Sequence, residues 1–536
     1  MNKTSFNPIF DLYHIDYTSK LFEYKEQMDY NHYSLTIEGK ETQCFMKTIP
    51  LVDYIKLLIG KYKKYDICVL PSKERNINNI YEEYIHSIHN YAYVDNFFYI
   101  LSNKLNINNY KHGIEVYDSF ITMKENCEIN IADDFEYLCD SNYFNEHLNK
   151  LFHFKDNQIH SLFSNLKKPP IELGDILCEI ECDTLEDEQE PNEEIDHTIE
   201  DDSMNLIHKS LGNVEQASDD DDSSDESSKD SEDDDENVSS DESSKDSEDD
   251  DENVSRDESS KDSEDDDDSF DDTTTDTSSE NSFMDELTLI IKKIPTQNIL
   301  LEKCVDTLDS LFEKDKINVE ELTSAMFQTI VILYLYQNVF EFTHNDLHTN
   351  NIMFVETKEE FLYYKIKNIY YKVPTYGKIY KLIDFGRAIY TYKNTRLCSD
   401  SFSPNGTAHG QYNCEPFLNS NKNTIEPNYS FDLCRLACSM FDFIIDSLDD
   451  IDVFRKIPLY DMIIEWIHDD SGNNVMYKKN GDERYPDFKL YKMIARNVNK
   501  HVPEKQFDHA CFKDYITHPL DEYVNIDELI KMKDRL

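Results

Sequence analysis

Glycine is scarce in this chain, 11 in 536 residues, and only Gly39 precedes Lys47. A G-x-G-x-x-G turn whose backbone amides approach a phosphate is therefore absent before that lysine. The 12 cysteines include no C-x-x-C pair, which speaks against a zinc ribbon or a disulfide framework and for free thiols in a reducing compartment. Cys178/Cys182 and Cys434/Cys438 are each four apart, one face of a helix if helical. No apolar run approaches the roughly 20 residues of a spanning helix. Met1 to Asp16 lacks a basic-then-apolar leader pattern. The expectation is an intracellular, cytoplasmic protein with no membrane partner. Basic residues are outnumbered, 53 against 110 acidic ones, and no basic patch interleaved with aromatics stands out, so nucleic acid is not expected as a partner.

What is abundant is acid, and it is concentrated. Residues 171–280 hold 48 of the acidic residues and 5 of the basic ones, so the rest of the chain carries −14 of the total −57. Ser223 to Val238 reads SSDESSKDSEDDDENV, is repeated letter for letter at Ser239 to Val254, and begins a third time at Ser255 with Arg256 in place of Ser. A 16-residue repeat of this composition buries too little apolar area to offset its ordering entropy, so it is expected to be disordered. Three organisational blocks follow: 1–174, an acidic insert over 175–282, and 283–536. Such an insert costs little as a loop, each doubling of length adding only ~0.6 kcal/mol. It is read as a solubilising bristle, as a phosphate acceptor at Ser-x-x-acidic sites such as Ser227 and Ser231, or as a lure for basic proteins.

Residues 341–353 read Glu-Phe-Thr-His-Asn-Asp-Leu-His-Thr-Asn-Asn-Ile-Met, and Lys381 to Arg387 read Lys-Leu-Ile-Asp-Phe-Gly-Arg. They form H-x-D-L-x-x-x-N (His344, Asp346, Leu347, Asn351) followed by D-F-G (Asp384, Phe385, Gly386). Phosphoryl transfer from a nucleotide needs this set. Asp346 would orient an acceptor hydroxyl and take its proton, while Asn351 and Asp384 would give hard oxygen ligands to Mg²⁺. The competing reading has His344 and Asp346 capping a buried turn and Asp384 ending a strand.

In wording and order these stretches resemble the protein kinase-like superfamily over roughly the N-terminal third and the C-terminal half. They are similar to the divergent kinase-like proteins of giant DNA viruses, which would place the chain in host cytoplasm or virion. The resemblance implies an α+β, two-lobed kinase-like fold interrupted by the insert, with ATP and Mg²⁺ bound between the lobes. Lys47, in a strand expected over Thr42 to Ile49, would clamp the nucleotide phosphates, the alternative being a solvated lysine. Two helical runs lie in Tyr81 to Asn106, with Glu82 and Glu83 in the first and Asp95 opening the second. Glu83 is the carboxylate offered as the partner of Lys47, the alternative being a solvated helix face. A short strand over Gln297 to Leu301, with the linker after it, resembles the hinge, placing Leu301 and Cys304 against adenine. His348 would touch the γ-phosphate, and Asp432 would anchor the catalytic loop or merely sit at a helix N-terminus. Glu320 to Phe340 is expected as a helix with Met326, Ile330, Leu333 and Gln337 on its core face, and Glu356 to Pro374 as an inserted pair of strands.

The chain departs from the family pattern in four places. It lacks the glycine loop; Asn345 replaces the arginine that pairs with activation-loop phosphate; His348 stands where protein-serine/threonine kinases carry lysine; and Glu415-Pro416 reverses the usual order. The expected activity is transfer of the ATP γ-phosphate to a protein Ser/Thr hydroxyl. A pseudokinase scaffold and a small-molecule kinase are the alternatives.

Overall fold

A computed structural model describes residues 3–156 and 287–535, apart from 75, 76, 133, 446 and 520. The acidic insert expected over 175–282, with Ser227, Ser231, Cys178 and Cys182, lies outside the described residues. The architecture is α+β.

Seven strands form one antiparallel sheet: β1 (Lys3–Thr4), β2 (Phe22–Gln27), β3 (His32–Ile37), β4 (Lys40–Pro50), β5 (Val116–Asn130), β6 (Phe152–Phe154) and β7 (Thr288–Glu302). Their order is β1-β5-β7-β4-β3-β2, with β6 also on β7. In β7, Ile299 lies opposite Lys47 of β4 on one side and Ser119 of β5 on the other. Every residue from Ile294 to Leu301 is buried, because both faces of this strand are covered. One face carries Leu35, Ile37, Cys44, Tyr117 and Leu300; the helix Tyr91–Lys104 packs against β5 and β7. The short strand expected at Gln297 to Leu301 thus begins at Thr288 and completes the N-terminal sheet, so the boundary placed at 283 precedes a strand of that sheet. Lys292 and Lys293, both exposed, interrupt the apolar run that would have revealed it.

Asn90 starts the Tyr91–Lys104 helix by accepting a hydrogen bond from Ala92 N at 3.0 Å, an N-cap that satisfies an otherwise orphaned amide. Every residue from Ala92 to Ser102 is buried, Asp95 and Asn96 included. The C-terminal part is built on the helix Val319–Phe340, capped by Asn318 and ended by Glu341 in the left-handed region. It was expected to bury one stripe, yet it is buried without a break from Leu322 to Gln337. Other elements cover its far side, and Phe327 meets the rings of Tyr371 at 5.1 Å, Phe512 at 5.1 Å and Phe507 at 5.7 Å.

Five further strands matter for the site: β8 (Asp306–Thr307), β9 (Ile352–Glu356), β10 (Phe361–Ile366), β11 (Ile369–Pro374) and β12 (Lys378–Leu382). β10 and β11 are the expected inserted hairpin. β12, β9 and β8 form a small sheet that carries both motifs at its end. Among the described residues no helix is long and apolar enough to cross a membrane.

Candidate active site

The two motifs meet because β9 and β12 pair antiparallel, Ile352 opposite Leu382. One residue on, Ile383 N donates to Asn351 O at 3.1 Å, and His344 Nε2 donates to Ile383 O at 2.9 Å. From below, Asp432 in the first turn of the helix Phe431–Ile444 accepts the backbone N–H groups of His344 (2.8 Å) and Asn345 (2.9 Å). Asp432 is fully buried. Burial pushes its carboxyl up to about 7 even though the two amides pull it down. The anchoring role expected of Asp432 is thus what its hydrogen bonds perform.

Asn345 has φ 65°, a left-handed conformation that asparagine tolerates better than most residues. Its Nδ2 donates to Arg387 O at 3.0 Å, and its Oδ1 accepts from the Tyr412 hydroxyl at 2.7 Å. The uncharged amide of Asn345 thus ties down both ends of the 387–412 segment.

Lys47 joins distant parts of the chain. Its Nζ lies 2.9 Å from Asp95 Oδ2 and 3.1 Å from Asp384 Oδ1. Burial would lower the ammonium pKa, but the two carboxylates reverse that and hold Lys47 charged. Burial pushes Asp95 up to about 6 despite Lys47. Burial also acts to raise Asp384, yet the Lys47 charge and hydrogen bonds from Lys47 and the Tyr91 hydroxyl (3.0 Å) hold it at about 2. Asp95 Oδ1 accepts from Phe385 N at 2.7 Å, and the Tyr99 hydroxyl accepts from Asp384 N at 2.9 Å. One helix thereby fixes both the lysine and the D-F-G backbone. Phe385 is buried against Phe98 and Tyr99, 4.7 and 4.8 Å between ring centroids. Tyr91 lies so close over Gly386 that a Cβ there would come within 1.9 Å of its ring.

No protein-family model matches this chain, and no curated protein does.

Of the predicted site residues, Lys47, Asp346, His348, Asn351 and Asp384 come together. Glu83 does not. It is exposed on the short helix Ile80–His86, and Lys47 takes its carboxylates from Asp95 and Asp384 instead. Leu301 is inside β7, flanked by Phe45 and Val116, so its backbone is committed to the sheet rather than free for a ligand. Cys304 does lie in the connection between β7 and β8; it is buried, and burial pushes its thiol up to about 12, leaving an unreactive neutral group. His348 contacts Asn351: its Nε2 accepts from Asn351 Nδ2 at 3.1 Å. Burial lowers the His348 pKa, which favours the neutral ring this bond requires.

Asn351 Nδ2 also donates to Asp346 O at 2.9 Å, so its amide orientation is fixed and Oδ1 is left without a hydrogen bond among the described residues. Asp384 Oδ2 is likewise without one. Among the described residues no group of three or more His, Cys, Asp or Glu is placed to hold a metal ion. Two oxygen donors suit a cation such as Mg²⁺, which keeps waters and takes ligand phosphates as well.

Asp346 itself is surrounded by groups that the motif does not contain. The Tyr491 hydroxyl donates to Asp346 Oδ1 at 2.9 Å, Arg435 Nε donates to the Tyr491 oxygen at 2.9 Å, and Arg387 Nη1 is 3.5 Å from Asp346 Oδ2. The turn between β2 and β3 stands beside the Lys47 strand, with Met46 N donating to Asn31 O at 2.7 Å. It contains no glycine. Instead the Asp29 carboxylate accepts the amides of Asn31 (2.9 Å) and His32 (2.8 Å), and Tyr30 accepts from Glu128 N at 3.0 Å.

Proposed function

We propose that this chain is a phosphotransferase of the protein kinase-like class, moving the γ-phosphate of ATP to a Ser/Thr hydroxyl. The observation that carries the reading is Lys47 held between Asp95 and Asp384, with Asp346 and Asn351 on the neighbouring loop. A lysine clamped by a helix carboxylate beside a D-F-G aspartate is the arrangement phosphoryl transfer requires in protein kinases. In the reaction the acceptor oxygen bonds to the γ-phosphorus as the bond from that phosphorus to the β–γ bridging oxygen breaks. Asp346 receives the acceptor proton. Lys47 neutralises phosphate charge, and His348 keeps Asn351 turned so that its Oδ1 is available. Asn351 and Asp384 would hold Mg²⁺, whose contribution is to neutralise charge on the phosphate oxygens.

A second reading, a scaffold that keeps the fold without turnover, is favoured by the glycine-free turn at Asp29 and Tyr30. There the Asp29 carboxylate already takes the Asn31 and His32 amides of the turn. The deciding experiment is transfer of labelled γ-phosphate from Mg-ATP by the full chain, beside Asp346→Asn and Asp384→Asn. Label lost in both variants supports the enzyme. No label on protein or metabolite acceptors from a folded chain supports the scaffold.

A further inference from the structure

The chain is strongly acidic, yet the flank of Asp346 is cationic. Arg387 has Asp346 as its only carboxylate partner among the described residues. Arg435 lies over the Tyr491 ring, 5.1 Å from its centroid, and has no ion pair among the described residues. Arg496, exposed on the helix Phe488–Asn497 that also carries Tyr491, gives its terminal nitrogens to Lys492 O (2.6 Å) and Gly410 O (2.9 Å), with no carboxylate partner among the described residues. Gly410 is two residues before Tyr412, which binds the neighbour of Asp346.

Two guanidinium groups thus stand at one carboxylate, Arg387 directly and Arg435 through Tyr491, while Arg496 is exposed farther along the helix that carries Tyr491. Arginine stays charged at all working pH values, and its fork matches carboxylates and phosphates. The Asp346 carboxylate would repel an anionic acceptor, and the arginines oppose that repulsion. We propose that the preferred acceptor is a Ser or Thr hydroxyl flanked by Asp and Glu, an acidic peptide read by Arg387, Arg435 and Arg496. The proposal rests on the phosphotransferase reading above. Chemistry of this kind is present in the chain itself, in SSDESSKDSEDDDENV, and in other acidic proteins. The serine oxygen gains the γ-phosphate of ATP, ADP leaves, and the serine proton passes to Asp346.

The test uses the full chain with labelled Mg-ATP and three peptides: the repeat unit, the same unit with Asp and Glu changed to Asn and Gln, and one with them changed to Lys. The acidic peptide is expected to have a kcat/KM at least tenfold above the neutral one, with the margin shrinking as salt rises. Arg496→Glu is expected to collapse the acidic-to-neutral ratio and to raise use of the Lys-flanked peptide, a gain that a misfolded variant would not show. Equal use of acidic and neutral peptides, or an Arg496→Glu ratio like that of the natural chain, overturns the acidic preference while leaving phosphotransfer standing. No transfer to any acceptor overturns both. Label in the repeat of the natural chain, with a chain lacking 218–282 still using the added acidic peptide, assigns the repeat as one such acceptor. Label on the added peptide alone assigns the acceptor to another acidic protein.

Discussion

Tyr491 donates its hydroxyl to Asp346 across 2.9 Å, and so holds the place that an acceptor hydroxyl would take beside the proposed base. An incoming acceptor must displace it. Tyr491→Phe removes that competitor, and hydrogen bonds to charged groups contribute about 1.5–3 kcal/mol. The acceptor KM of Tyr491→Phe is expected to fall by about tenfold with little change in the KM for ATP, measured by steady-state kinetics. A fall in kcat with KM unchanged would instead make Tyr491 an orienter of Asp346.

The pairing of Lys47 with Asp95 rather than Glu83 predicts a clean contrast. Asp95→Ala leaves a buried ammonium with one fewer counterion and frees the Phe385 amide, a class of change that costs about 3–5 kcal/mol. Thermal melting should show that loss, and transfer activity should fall by at least about a hundredfold. Glu83→Gln should melt and react like the natural chain.

The carboxyl shifts set a pH dependence. Asp95 is raised to about 6, so activity should decline as pH falls through about 6 and Lys47 loses a charged partner. Asp95→Asn should lack that limb. Asp384, held at about 2, stays ionised throughout. For stability the signs are opposite. What Asp95 contributes is present when it is protonated and is lost as pH rises from about 4 to 6. What Asp384 contributes is present above about 4 and is lost as pH falls toward 2. Activity profiles and denaturation midpoints across pH would check both.

Asp432 accepts two amides with two oxygens. In Asp432→Asn one oxygen becomes an NH₂ facing an N–H, leaving a buried donor unsatisfied. A loss of about 2–3 kcal/mol is expected, readable by urea unfolding, together with weaker protection of the His344 and Asn345 amides from hydrogen exchange.

Gly386→Ala should drive Tyr91 off Asp384, since the added carbon would meet the ring. Overpacking of this kind costs about 1–3 kcal/mol. Combining it with Tyr91→Ala should cost less than the sum of the two single changes, because the residues touch.

The motif loops were legible because their chemistry is local: eight residues ending in Asn351 and three beginning at Asp384. Alternation marked the strand of Lys47, and the resemblance to kinases singled out the lysine in it. Asp95 was visible as the opening of a helical run, but its partnership was not assigned. A lone carboxylate amid Tyr93, Val94, Phe97 and Phe98 is a residue that must be paired when buried, and that signal outranks the acidic pair Glu82-Glu83, which invites a helix-face reading. Tyr491 and Arg387 reach Asp346 from up to 145 positions away, with Arg435 behind Tyr491, and no spacing rule links them. The all-round burial of the Val319–Phe340 helix depends on which segments fold over it, a tertiary outcome that periodicity does not contain.

The pairing of β6 with β7 has a consequence for chain integrity. Phe154 lies opposite Leu289, and Lys155 N donates to Thr288 O at 2.9 Å, so the chain leaves and re-enters the sheet at adjacent points. A protease cut anywhere between 157 and 286 would sever the polypeptide without separating β7 from β4 and β5. The two halves should stay associated, and, produced as separate fragments, should find each other through a strand that has three partners waiting, β4, β5 and β6.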